Sequence, residues 1–128
     1  MKSALVNAAL VGSGGFVGAV CRYTLSGFVQ RIAGLSTFPY GTLAVNLIGC
    51  LLIGLIAGFV EERQVFGPGF RLFVMIGMLG GFTTYSTFGF ESYALLRDAD
   101  FLRAAGNVTV HVVLGLTLVW AGYTLASR

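Results

Sequence analysis

Residues 80–88 read Gly80-Gly81-Phe82-Thr83-Thr84-Tyr85-Ser86-Thr87-Phe88, a run of glycine, hydroxyl and aromatic residues inside an otherwise apolar segment. Two adjacent glycines weaken a helix by about 1 kcal/mol each relative to alanine, and the threonines after them can bond to backbone in place of helical partners. The stretch reads as a helix broken near residues 80–84. Such a break leaves carbonyl oxygens at the end of one half-helix and N–H groups at the start of the next, the first suited to a cation and the second to an anion.

The surroundings of the break are those of a membrane. The chain has 128 residues, 56% of them hydrophobic and only 10% charged, with a mean hydropathy of +0.87, whereas soluble domains carry about 25% charged residues. Four apolar segments, about residues 4–29, 39–60, 70–96 and 101–126, each approach or exceed the ~20 residues that cross a bilayer core. The expected architecture is a single all-α membrane domain over residues 1–128 with four transmembrane helices, the third of them broken. Non-helical backbone at that depth is tolerated only inside protein or along a cavity. Lys2 followed by small apolar residues faintly resembles a signal peptide, but three more apolar segments follow, so the first is expected to be a retained span.

The short connections hold the charges: Arg31 after the first segment, Glu61 to Gly69 after the second, and Arg97 to Asp100 after the third. One end of the bundle then carries Lys2, Arg63, Arg71 and Arg128, and the other Arg31, Arg97 and Arg103. Orientation follows the Lys/Arg bias of short loops, and here the bias is small. The chain is therefore expected to insert both ways up and to pair as an antiparallel dual-topology homodimer. The net charge of +3 comes from scattered basic residues, with no patch for nucleic acid. Cys21 and Cys50 lack any metal or redox spacing. Gly14 and Gly18, like Gly54 and Gly58, lie four apart and offer one face for close helix approach.

Polar residues within the spans are the candidate functional groups. Tyr85 and Phe88 share a helix face beside the Ser86 and Thr87 hydroxyls; they read equally as helix-packing aromatics or as ring edges lining the path of a small anion. Asn46 carries two amide donors at a depth where an unpaired polar group is costly. Glu91 is the only acidic residue within a span, and Asn107 and His111 lie four apart on one face of the fourth. Intramembrane ionisable groups point to function, with interhelical hydrogen bonding the competing role. No set of these residues matches a hydrolase, metal or phosphate-loop template, so no enzyme activity is expected and passage across the membrane is the remaining class.

These residues closely resemble a known signature. Gly-Gly-x-Thr-Thr-aromatic-Ser-Thr-Phe in the third of four spans is similar to that of the small fluoride channels, the Fluc or CrcB family. Gly18-Ala19-Val20-Cys21-Arg22-Tyr23 resembles the family's first-span pattern, and Gly41-Thr42-Leu43-Ala44-Val45-Asn46-Leu47-Ile48-Gly49 its second-span pattern. The resemblance covers essentially the whole chain. It implies an antiparallel dual-topology homodimer in the bacterial inner membrane, with lipid around it, two fluoride pores, and a central structural sodium ion on the carbonyls of Gly80 and Thr83 from each subunit. It implies Asn46, Tyr85, Ser86, Thr87, Phe88 and Glu91 along the fluoride pathway, with Asn107 and His111 beside them and Arg22 as pore mouth or anchor. Tyr85 departs from the family's usual phenylalanine, and His111 from a small residue; protonating a vestibule His111 would favour anion access.

The function so implied is passive export of fluoride, giving resistance. Hydrogen fluoride enters as a neutral weak acid and dissociates inside, and the membrane potential drives the anion out. Neutral donors replace the ion's water without trapping it. The alternative is a small multidrug-resistance-type proton-coupled exporter, but that mechanism needs a carboxylate in the first span; residues 4–29 contain none, and Glu91 is the only substitute. A non-transporting assembly subunit is the third reading, and it leaves the polar residues after Gly80 without a role.

Overall fold

The computed structural model describes residues 2–63 and 66–128; the connection expected between the second and third spans includes residues 64 and 65, which lie outside the described residues. The described chain is all helical: α1 (Lys2–Ile32), α2 (Tyr40–Arg63), a third span built of α3 (Pro68–Phe70), a π-helical segment (Arg71–Leu79), α4 (Gly80–Phe82) and α5 (Tyr85–Arg97), and then α6 (Phe101–Ala126). Four of these stretches, counting Pro68–Arg97 as one, are long and apolar enough to cross a membrane.

Local chemistry sets the ends. Gly34 takes a left-handed φ of 74° just past α1 and donates to the Arg31 carbonyl, a backbone state that glycine adopts without a Cβ penalty. The chain that follows is gathered by Gln30, whose amide nitrogen donates to the Ser36 and Phe38 carbonyls while its oxygen accepts from Gly41 N–H. Pro68 sits in the first turn of α3, where a missing N–H costs nothing. Asp100 caps α6 by accepting from Arg103 N–H.

Packing depends on glycine at two seams. A Cβ at Gly14 or Gly18 would collide with the carbonyls of Phe73 and Met78, so α1 lies backbone-to-backbone on the π-helical segment. A Cβ at Gly54 or Gly58 would meet the carbonyls of Val119 and Tyr123, which sets α2 against α6. Both glycine pairs therefore do what their spacing predicts. Arg103 donates to Thr37 Oγ1 at one end of the bundle, and Tyr123 donates to Glu61 at the other. Phe16, Phe28, Leu102, Leu116 and Trp120 all point outward, an apolar surface that suits lipid.

The nine-residue π-helix is a feature that the sequence reading lacks. Its bonds run i→i+5, the turn is wider than an α-turn, and such segments are rare and short elsewhere. It ends immediately before Gly80, and so leads directly into the break.

Candidate functional site

The break in the third span is confined to Thr83 (φ −89°, ψ 159°) and Thr84 (φ −150°, ψ 111°), both extended. Gly80 and Gly81 stay helical. Gly81 is needed for another reason, since a Cβ there would press on the Gly15 carbonyl of α1. Gly80 faces open space, with no atom within 4 Å of where a Cβ would stand.

Asn46 of α2 takes over the hydrogen bonds that the break removes. Thr84 N–H donates to Asn46 Oδ1 at 2.8 Å, and Asn46 Nδ2 donates to the Thr84 carbonyl at 3.1 Å. In a continuous helix that Thr84 amide would close on the Gly80 carbonyl. Diverting it to Asn46 leaves the Gly80 oxygen without that partner, at an exposed position.

The remaining Asn46 amide proton meets His111 Nε2 at 3.2 Å, and His111 Nδ1 lies 2.9 Å from the Asn107 carbonyl one turn earlier on α6. A carbonyl only accepts, so Nδ1 carries the hydrogen and Nε2 is the acceptor for Asn46. Both ring nitrogens are engaged. A second proton on Nε2 would face the Asn46 amide N–H, so protonating His111 would also displace the Asn46 bond.

The Thr84 side chain caps α5: its oxygen accepts from Thr87 N–H, and its proton goes to Thr87 Oγ1 at 3.0 Å. The hydroxyl protons of Thr87 and Tyr85 have no acceptor among the described residues, and Ser86 lies within 3.4 Å of Thr84 Oγ1. These hydroxyls stand in the first turn of α5, at the positive end of its dipole.

Two clefts meet at the break, each of about 420 Å³. The first contains Asn46, Gly80, Thr83, Tyr85, Phe88 and His111; the second contains Arg22, Tyr23, Ser26, Thr42 and Thr87; Thr84 lines both. In the first cleft the Phe88 ring lies 4.4 Å from the His111 ring and 5.6 Å from Tyr85. Glu91 lies in a third cleft of about 330 Å³, which shares Ser26, Gly27 and Thr42 with the second. There Thr42 Oγ1 donates to Glu91 Oε1 at 2.7 Å, while Oε2 is buried without a partner among the described residues.

Asn107 lines none of these clefts. It is fully buried and donates to Ser92 Oγ at 2.9 Å. Thr42 and Ser92 are the participants that the sequence does not single out; in a lone sequence a threonine or serine facing a cleft or a helix seam looks like one bonded to its own helix, as Thr24 is.

The family described as "CrcB-like protein, Camphor Resistance (CrcB)" matches residues 9–123. The chain belongs to the CrcB-like family. Similar proteins named "Fluoride-specific ion channel FluC" include one from Citrifermentans bemidjiense, 52% identical over 122 residues and covering 95% of each chain. One from Geobacter sp. is 50% identical over the same length and coverage. One from Geobacter sulfurreducens is 48% identical over 114 residues, covering 89% of this chain and 91% of the relative. With four membrane-length helices, this CrcB-like chain is a multi-pass membrane protein of the bacterial inner membrane. The match spans all four helices and both sides of the break, so the clefts described above belong to the family region.

Proposed function

We propose that the protein is a fluoride-selective channel that lets the ion leave the cell passively, working as an antiparallel dual-topology homodimer. The observation that carries this reading is the break at Thr83–Thr84, flanked by two clefts with free hydroxyl donors, in a chain 52% identical to a fluoride-specific channel over nearly its whole length. Fluoride holds its water tightly, so a pore must offer replacement donors that are neutral enough to let go. Tyr85, Ser86 and Thr87 provide hydroxyls, α5 provides its N-terminal N–H groups, and the ring edges of Tyr85 and Phe88 extend the path. Asn46 holds the break in shape and contributes its His111-facing N–H when an ion displaces the ring nitrogen. Arg22 forms no ion pair among the described residues, which leaves its charge available to attract anions towards the second cleft.

A sodium ion fits at the centre of the dimer. The Gly80 carbonyl has lost its helical amide to Asn46 at an exposed position, while the Thr83 hydroxyl is bonded to Leu79 and leaves its carbonyl as the group to offer. When bound, the cation supplies positive charge that offsets repulsion among these oxygens. Glu91, in the third cleft beside Thr42, stands along the outer part of the route.

Fluoride-electrode recording of efflux from liposomes, with chloride as control, tests the function. Rapid fluoride efflux with negligible chloride efflux is expected. Equal passage of both anions, or none, would overturn the reading.

A further inference from the structure

The interface between α5 and α6 is joined by two polar side chains that line none of the clefts described above. Ser92 is 7% exposed and Asn107 0%. Asn107 Nδ2 donates to Ser92 Oγ at 2.9 Å, and Ser92 Oγ donates to the Phe88 carbonyl at 2.8 Å. One turn along α6, the Asn107 carbonyl accepts from His111 Nδ1 at 2.9 Å. On α5 the tether thus ends at the Phe88 carbonyl, and on α6 the Asn107 main chain holds the His111 ring; the Phe88 and His111 rings meet in the first cleft at 4.4 Å.

We propose that Ser92 and Asn107 are positioning residues for the anion pathway. Their hydrogen bond fixes the rotation and depth of α5 against α6, which sets the Phe88 ring on the His111 ring and, through His111 Nε2, the orientation of the Asn46 amide. The proposal rests on reading the first cleft as the ion's route.

The chemistry of the tether argues for position over adhesion. Asn107 Oδ1 is buried with no partner among the described residues, a cost that an apolar residue of similar volume would avoid. Apolar pairs pack without direction and would let the helices slide, whereas an amide-to-hydroxyl bond has one register. Ser92 can serve as donor and acceptor together, which is why its single oxygen links the side chain of one helix to the main chain of the other.

His111 is the chain's single histidine, so histidine-selective isotope labelling in liposomes gives one ring signal that needs no assignment. Its nitrogen shifts report the Nδ1–H tautomer, and its ring protons report the Phe88 ring. Ser92→Ala, and the double variant Ser92→Ala with Asn107→Leu, should shift that signal and slow fluoride efflux at least about tenfold, a loss comparable to one buried hydrogen bond. The double variant leaves no orphaned polar group, so it should melt no lower than the wild type. Ser92→Thr, which keeps the hydroxyl, should retain both signal and flux. Variants that conduct at the wild-type rate, or a slowed double variant whose histidine signal is unmoved, overturn the positioning role. A wild-type protein with no fluoride flux overturns the channel reading instead.

Discussion

Asn46 grips Thr84 by both ends of its amide, accepting from the Thr84 N–H at 2.8 Å and donating to the Thr84 carbonyl at 3.1 Å. A single side chain thereby satisfies both main-chain groups of a residue that has left the helix. Asn46→Asp retains the acceptor but loses the donor, leaving the Thr84 carbonyl and His111 Nε2 unmet and adding negative charge in the cleft. Asn46→Leu loses both bonds. Each unmet buried group costs about 1–3 kcal/mol. Both variants should therefore melt lower and pass little fluoride, with the aspartate the poorer conductor; thermal denaturation in detergent and electrode-monitored efflux read the two effects separately.

Thr84 also caps α5 through its hydroxyl. Thr84→Val keeps the shape and the β-branch but removes the cap, at a cost of about 1 kcal/mol. It also strips the hydroxyl that receives the Thr87 N–H, so the first turn of α5 should fray and exchange its amide hydrogens faster. Thr84→Ser should behave like the wild type. Hydrogen exchange across residues 85–88 measures this, and equal protection in the valine and serine variants would show that the cap is irrelevant.

The sequence made the spans legible because each is a long apolar run, and it made the break legible because glycines and hydroxyls interrupt one of them. It located the break only coarsely. Gly80-Gly81 looked like the breaking residues, yet both are helical, and the pair serves close packing at Gly81 and open space at Gly80. Propensity cannot separate a glycine that bends a helix from one that admits a neighbouring backbone, because both rest on the missing Cβ. The π-helical turn from Arg71 was invisible for a related reason: nothing in Arg71 to Leu79 distinguishes its residues from an ordinary apolar α-helix. Asn46 and His111 stood out as polar residues in apolar helices, but their bond to each other spans two helices, and only the fold brings them together. Asn107 stood out in the same way and proved to face a helix interface and none of the clefts described above.

The seam between α1 and the π-helical segment predicts a sharp contrast between two glycines of one helix. A Cβ at Gly18 would strike the Met78 carbonyl and crowd the Phe82 amide, while one at Gly12 meets nothing within 4 Å. Gly18→Ala should destabilise by roughly 1–3 kcal/mol, the usual range for overpacking. Gly12→Ala should be neutral or gain up to about 1 kcal/mol of helix propensity. Melting temperatures of the two variants in the same detergent decide it.

Phe88 and Tyr85 should differ in what they tolerate. Phe88 packs on His111 and Tyr85 together, so Phe88→Ile, which removes the ring but not the bulk, should abolish fluoride flux while leaving the folded protein intact by size-exclusion chromatography. Tyr85 is 85% exposed in the single chain, and its hydroxyl meets no acceptor among the described residues. Tyr85→Phe should keep the ring edge and lose only one donor, one of several along the route, and flux should fall by no more than about the tenfold expected for one hydrogen bond. Wild-type conduction in Phe88→Ile would remove the aromatic pathway from the mechanism.

The two ends of the bundle carry nearly balanced charge, and this decides how the chain sits in the membrane. Lys2, Arg63, Arg71 and Arg128 belong to one end, and Arg31, Arg97 and Arg103 to the other; the Arg103–Thr37 and Tyr123–Glu61 hydrogen bonds join neighbouring spans at opposite ends. Short-loop Lys/Arg counts set orientation, so a population inserted both ways is expected, and in the proposed antiparallel dimer the exposed Gly80 face would meet its copy across a two-fold axis in the membrane plane. A paired reporter at the C-terminus, one active only inside the cell and the other only outside, should give signal from both. Replacing Arg97 and Arg103 with glutamine should bias the population towards a single orientation and reduce flux in proportion to the antiparallel dimers lost. Flux that persists at the wild-type level in a one-sided population would show that antiparallel pairing is not required.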